Sequence, residues 1–239
     1  MAETGKSFID ENLRGARFVR ADLSGAVMRG VEVDGLDVDS PWLLEGGSTL
    51  LVNGVDVVAF VDAELDRRFP GRQLRRAQTP EELRRAWQAI EAAWGTAVDR
   101  VAVMPAGTLE VSVDGEWSFA QTLRHLVMAT DTWLGRAVLG LEQPYHPLGQ
   151  PHAEYETDGY DMSVFTTRQP TYEEVLEARA GRQRMVREHL ATLTDDDLAR
   201  PRANPWAPQR TRTTLSCLRT ILDEEWEHQR YAVRDLDLL

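Results

Sequence analysis

The sequence predicts a mainly α protein: a four-helix bundle with a crossover connection, preceded by a repetitive segment and a β-hairpin. Three observations carry this. Four long stretches between about 79 and 236 place apolar residues at helical spacing. The irregular segment 143–169 separates the second from the third, longer than a tight loop and suited to a crossover. Residues 8–40 follow a five-residue period that fits neither a helix nor a plain strand.

Written in fives from Glu11, that segment reads ENLRG, ARFVR, ADLSG, AVMRG, VEVDG, LDVDS, with an apolar residue always third (Leu13, Phe18, Leu23, Met28, Val33, Val38). The pattern resembles the pentapeptide repeat. The resemblance implies a right-handed β-helix in which the central apolar residue and the small residue two before it stack inward. Six blocks make only about one and a half coils, too few to bury a core alone. The expected organisation is therefore a pentapeptide-repeat segment at 8–45, a bridge at 46–74 and the bundle at 75–239. Within the bridge, two β-prone runs flank Asn53-Gly54, a strong hairpin signal. Val58, Val61, Leu65 and Phe69 then form one face of a short helix that Pro70-Gly71 ends.

The first bundle helix opens at Thr79-Pro80, a cap followed by proline at the first helical position, and runs to about Val103 with Leu83, Trp87, Ile90, Trp94 and Val98 on one face. The second is capped by Ser118, with Gln121 completing a capping box, and fades at Gly140. The third runs from Thr171 to about Leu193 and the fourth from Thr213 to about Leu236.

Composition narrows the function. The chain is 42% hydrophobic and 28% charged, ordinary for a globular protein with a substantial core. A net charge of -12 argues against nucleic acid as a partner. No run is apolar enough to cross a membrane and residues 1–10 hold no signal-peptide core, so a cytoplasmic location is expected. The single cysteine, Cys217, sits among apolar neighbours and reads as a buried structural thiol.

Of five histidines, His125 and His228 fall in the second and fourth helices. Glu224 and His228 are four apart, so they share a helix face. His125 lies on a stripe of small residues (Ser118, Thr122, Ala129, Thr132) that leaves space beside its imidazole. If the two helices adjoin, two imidazoles and a carboxylate converge with coordination left open, as in catalytic metal sites. Spacing alone equally fits a solvated pair and a hydrogen-bonded histidine. It does not choose among zinc, nickel, iron and cobalt.

The segment Trp117-Ser118-Phe119-Ala120-Gln121-Thr122-Leu123-Arg124-His125-Leu126 resembles the W-S-x-x-x-x-L-x-H-L signature of DinB-like (YfiT-like) metal-dependent bundle proteins, and Glu224-x-x-x-His228 resembles the ligand pair on their last helix. The resemblance implies a DinB-like bundle over about 75–236 and assigns His125, Glu224 and His228 as ligands, with no catalytic residue beyond them. A His-Glu-His set is closest to mycothiol-dependent maleylpyruvate isomerase and related thiol S-transferases. It implies zinc, a mycothiol-like thiol activated as thiolate, and an electrophilic small-molecule substrate. The long connection, with Tyr145, His146, His152, Tyr155, Tyr160 and Asp161, is the expected wall over the metal. Tyr160, Asp161 and Arg219 are the candidate substrate contacts. A metal-dependent hydrolase without thiol and a non-enzymatic interaction module are the alternatives. Oligomeric state stays open, a homodimer being one option.

Overall fold

A computed structural model describes residues 6–44 and 47–239. The expected boundary between 45 and 46 lies outside the described residues. The chain divides into two compact units, Met1–Ser40 and Pro41–Leu239.

In the first unit the five-residue period of the sequence is the period of the backbone. Asp10, Gly15, Arg20, Gly25, Gly30 and Gly35 all take left-handed φ values, between 51° and 76°. Turn bonds run from the Ala16, Ala26 and Leu36 N–H groups to the Leu13, Leu23 and Val33 carbonyls. The described part of this unit contains no strand, so a β-helix is not seen. The third-position residues expected to stack inward are open to solvent, from Leu13 at 44% to Met28 at 63%. About one and a half coils enclose no interior, so a five-residue repeat can fix the turns without burying what lies between them.

The second unit opens with a hairpin of β1 (Leu51–Val52) and β2 (Val55–Asp56), turned by Asn53 and Gly54 at φ 50° and 81°. Positive φ at both central residues matches the right-handed twist of the flanking strands. Helix α1 (Val58–Arg68) leads into a 3-10 turn at Arg72–Arg76. Arg72, buried, donates to Asp62 at 2.8 Å and Asp66 at 2.6 Å, while Arg75 reaches Asp223 at 2.8 Å. The first two pairs tie this turn to α1, and the third ties it to the last helix.

The bundle consists of α2 (Pro80–Ala102), α3 (Phe119–Thr130), α4 (Tyr172–Thr192) and α6 (Thr214–Leu236). Helix α2 packs on α4 and α6, and α3 packs on the same two. The apolar faces meet in a core around Leu83, Trp87, Ile90, Leu126, Leu134, Ile221 and Trp226. Capping boxes at Thr79–Glu82, Ser118–Gln121 and Thr171–Glu174 set three helix starts by satisfying free N–H groups. Helix α3 continues as a π-helical segment, Asp131–Val138. Widened turns of this kind often adjoin functional sites.

The stretch between α4 and α6 is ordered. A short helix α5 (Asp195–Leu198) is followed by a hairpin in which β3 (Pro201–Ala203) pairs with β4 (Thr211–Thr213). The long connection between α3 and α4 is stitched to α3: Arg124 Nε donates to Leu148 O at 2.9 Å, and Gln150 N–H to Arg124 O at 3.1 Å. Gly149 makes this approach sterically feasible, because a Cβ there would come within 3.0 Å of Phe165 and 3.3 Å of Met128 Cβ. Among the described residues no helix is long and apolar enough to cross a membrane.

Candidate metal centre

The cap at Ser118 starts α3 two turns before His125, and the packing of α3 on α6 sets His125 opposite Glu224 and His228. One ligand atom from each of the three lies within 4.8 Å of the others. The Glu224 Oε2 is 3.6 Å from His125 Nε2 and 3.3 Å from His228 Nε2. Both imidazoles thus aim the same nitrogen at one carboxylate.

The other nitrogen of His125 decides what that Nε2 offers. His125 Nδ1 is 3.0 Å from the Gln150 carbonyl oxygen, which can only accept. In the neutral ring the proton therefore sits on Nδ1 and the lone pair on Nε2, the arrangement a metal requires. Trp117 walls the pair, its ring centroid 4.5 Å from His125 and 5.8 Å from His228. Burial pushes the His228 imidazole below its ordinary value, against the opposing pull of Glu224, which favours the neutral, metal-competent form. Burial works against ionised Glu224, but the His125 and His228 imidazoles facing it outweigh this and hold the carboxyl well below the usual range. The set is one anion and two imidazoles, and it suits a divalent ion.

The site opens. Glu224 keeps 33% of its side chain exposed, and it lines a cavity of about 580 Å³ together with His125. Met128, Ala129, Thr132 and Trp133 form the buried floor. The small-residue stripe of the sequence thus does leave room beside His125. Of the expected wall, His152 and Tyr160 line the cavity, and Tyr155 packs behind them against Trp206. Burial pushes the Tyr155 phenol up to about 12.

Other expected residues fall elsewhere. Asp161 is exposed, and its carboxylate caps the short turn Met162–Val164 by accepting from Ser163 N–H at 2.8 Å. Arg219 lies near Asp223, and neither it nor Asp161 lines the cavity. His146 is turned to the backbone, accepting from Leu148 N–H at 3.1 Å. Conversely Trp42, Trp133, Glu154, Asp158 and Trp206 line the cavity without having been singled out. A tryptophan between two prolines in an irregular stretch, as at Trp206, was the signal available.

Cys217 is fully buried, and burial raises its thiol above the ordinary value. It is expected to resist thiol-specific reagents in the native protein and to react fully in denaturant. A fast native reaction would contradict its burial.

A family model described as the DinB superfamily matches residues 82–232. No curated protein and no solved structure gives a match. The matched region runs from the start of α2 nearly to the end of α6 and includes His125, Glu224 and His228. On that match, over a helical bundle of this architecture, the chain belongs to the DinB superfamily.

Proposed function

We propose that His125, Glu224 and His228 hold a divalent metal, zinc first among the candidates, and that the protein is a metal-dependent transferase or isomerase working with a low-molecular-weight thiol of the mycothiol type. The observation that carries this is the meeting of three ligand atoms within 4.8 Å at the edge of an open cavity, with Nε2 of His125 left free by its bond to Gln150. A metal there would supply a Lewis acid that lowers the pKa of a thiol or water.

The chain's own groups define the rest. Glu224 offers the anion, and Gln150 fixes one imidazole. The cavity has the size of small-molecule sites. Buried Cys217 lies outside the ligand set, so a reacting thiol has to come from solution. The reading is that of a cytoplasmic enzyme.

One observation favours a second reading, metal-dependent hydrolysis. His152 lines the same cavity, and burial lowers its pKa, so its ring is neutral near pH 7 and able to accept a proton from water. The two readings separate on one experiment. Purified protein is expected to carry about one divalent ion per chain, as one three-ligand site requires, and to consume an electrophile faster with mycothiol than without it. Metal with no thiol dependence would favour hydrolysis. Wild-type protein that neither retains nor takes up a divalent ion would sink both.

A further inference from the structure

The cavity also has a chemical preference at its mouth. His152, Tyr160 and Trp206 meet there at steep angles: the His152 and Trp206 rings are 5.2 Å apart at 83°, and Tyr160 and Trp206 are 5.1 Å apart at 68°. Rings in edge-to-face contact stand as walls at near right angles, and a cation would lie against the surfaces they turn to the cavity. Asp158 and Glu154 stand at the rim, and no lysine or arginine appears among the described residues lining the cavity. The nearest stacked cation, Arg212, lies 4.9 Å over the Trp133 ring and is held by its bond to Ser216. At the floor, Thr132 is 1% exposed, and its hydroxyl has no hydrogen-bond partner among the described residues. A buried hydroxyl left this way is costly unless a ligand pairs with it.

We propose that this cavity selects an organic ligand bearing a positively charged amine, whose ammonium sits among His152, Tyr160 and Trp206 beside Asp158 while its polar end reaches Thr132. Ring faces attract a cation through their quadrupole, and desolvation strengthens the attraction. The rim carboxylates add Coulomb attraction and would repel a ligand carrying several negative charges. His152 lies 3.9 Å from Asp158, and burial lowers its pKa, so it adds no standing positive charge at the mouth. The proposal rests on the metal reading only for which end of the ligand faces Glu224. It narrows the electrophilic substrate, the partner of the thiol, to cationic or zwitterionic amines.

The test uses three probes of one shape: choline, its neutral isostere 3,3-dimethylbutanol, and the acid 3,3-dimethylbutanoate. Each is titrated into metal-loaded wild-type protein by tryptophan fluorescence and calorimetry. Choline is expected to bind at least about tenfold tighter than the alcohol, and the acid weakest. Trp206→Leu should remove most of that preference. Asp158→Asn, a surface change that leaves the fold alone, should weaken choline several-fold at low salt and less at high salt. Equal binding of the three probes, tighter binding of the acid, or no binding of choline would overturn the proposal. The same titration on His228→Ala keeps the two readings apart. Choline binding there should persist, whereas absence of metal from the wild type would overturn the metal reading alone.

Discussion

In His228→Ala the protein is expected to lose its divalent ion while keeping its fold. The side chain is 15% exposed and sits on the ligand face of α6, beside Glu224. Alanine is the best helix former, so α6 should survive the change. Two ligands would remain, and a vacated position cannot be refilled from Trp117, the ring beside it, because an indole N–H only donates. Loss of an outer-sphere partner typically weakens metal binding by about 10–100-fold, and loss of a ligand itself should exceed about 100-fold. Elemental analysis together with circular dichroism reads both halves of the expectation. Wild-type metal content in the variant would show that the ion is held elsewhere.

Each half of that site is legible because it is local, whereas their meeting rests on α3 packing against α6, which the resemblance implies and spacing does not. Glu224 and His228 share a face by spacing alone, and the Trp117–Ser118 start of α3 is written in its capping box. Helix starts at Thr79 and Thr171 were readable for the same reason: the cap and its partner lie three residues apart. What escaped depends on contacts far apart in the chain. Trp206 reaches His152 only because the β3–β4 hairpin folds back, and that hairpin lacks the alternating apolar run that marks a strand. Asp161 drew notice as a carboxylate in a long connection, but its nearest donor is the Ser163 N–H two residues on, and local bonding of that kind turns an aspartate away from a site. The five-residue repeat shows the limit from the other side. Its period sets the turns at Gly15, Gly25 and Gly35, yet periodicity does not say whether enough coils exist to cover Phe18 or Leu23, which are exposed.

The buried pair Arg179–Glu225 is the least legible feature and one of the most consequential. Glu225 is next to Glu224 in sequence but about 100° further round the helix, facing the core, where its side chain is 1% exposed and that of Arg179 5%. Burial raises the Glu225 carboxyl above its ordinary value, and Arg179 only partly offsets this. Arg179→Met would keep apolar bulk and strand the carboxylate. The expected loss is about 3–5 kcal/mol at pH 8, about 6–20 °C in Tm for a chain of this size. The sign of the pH dependence follows from the raised value. A carboxyl whose folded pKa lies above its unfolded one is penalised by ionisation, so its cost is present above the folded pKa and relieved as pH falls through it. Relative to wild type, the variant's deficit should therefore shrink between pH 8 and pH 5. Adding Glu225→Gln, which removes the charge, should recover much of the stability at pH 8. Urea unfolding at the two pH values measures all of this. A deficit that does not change with pH, or a double variant no better than the single, would mean that lost packing at Arg179 governs the effect rather than an unpaired charge.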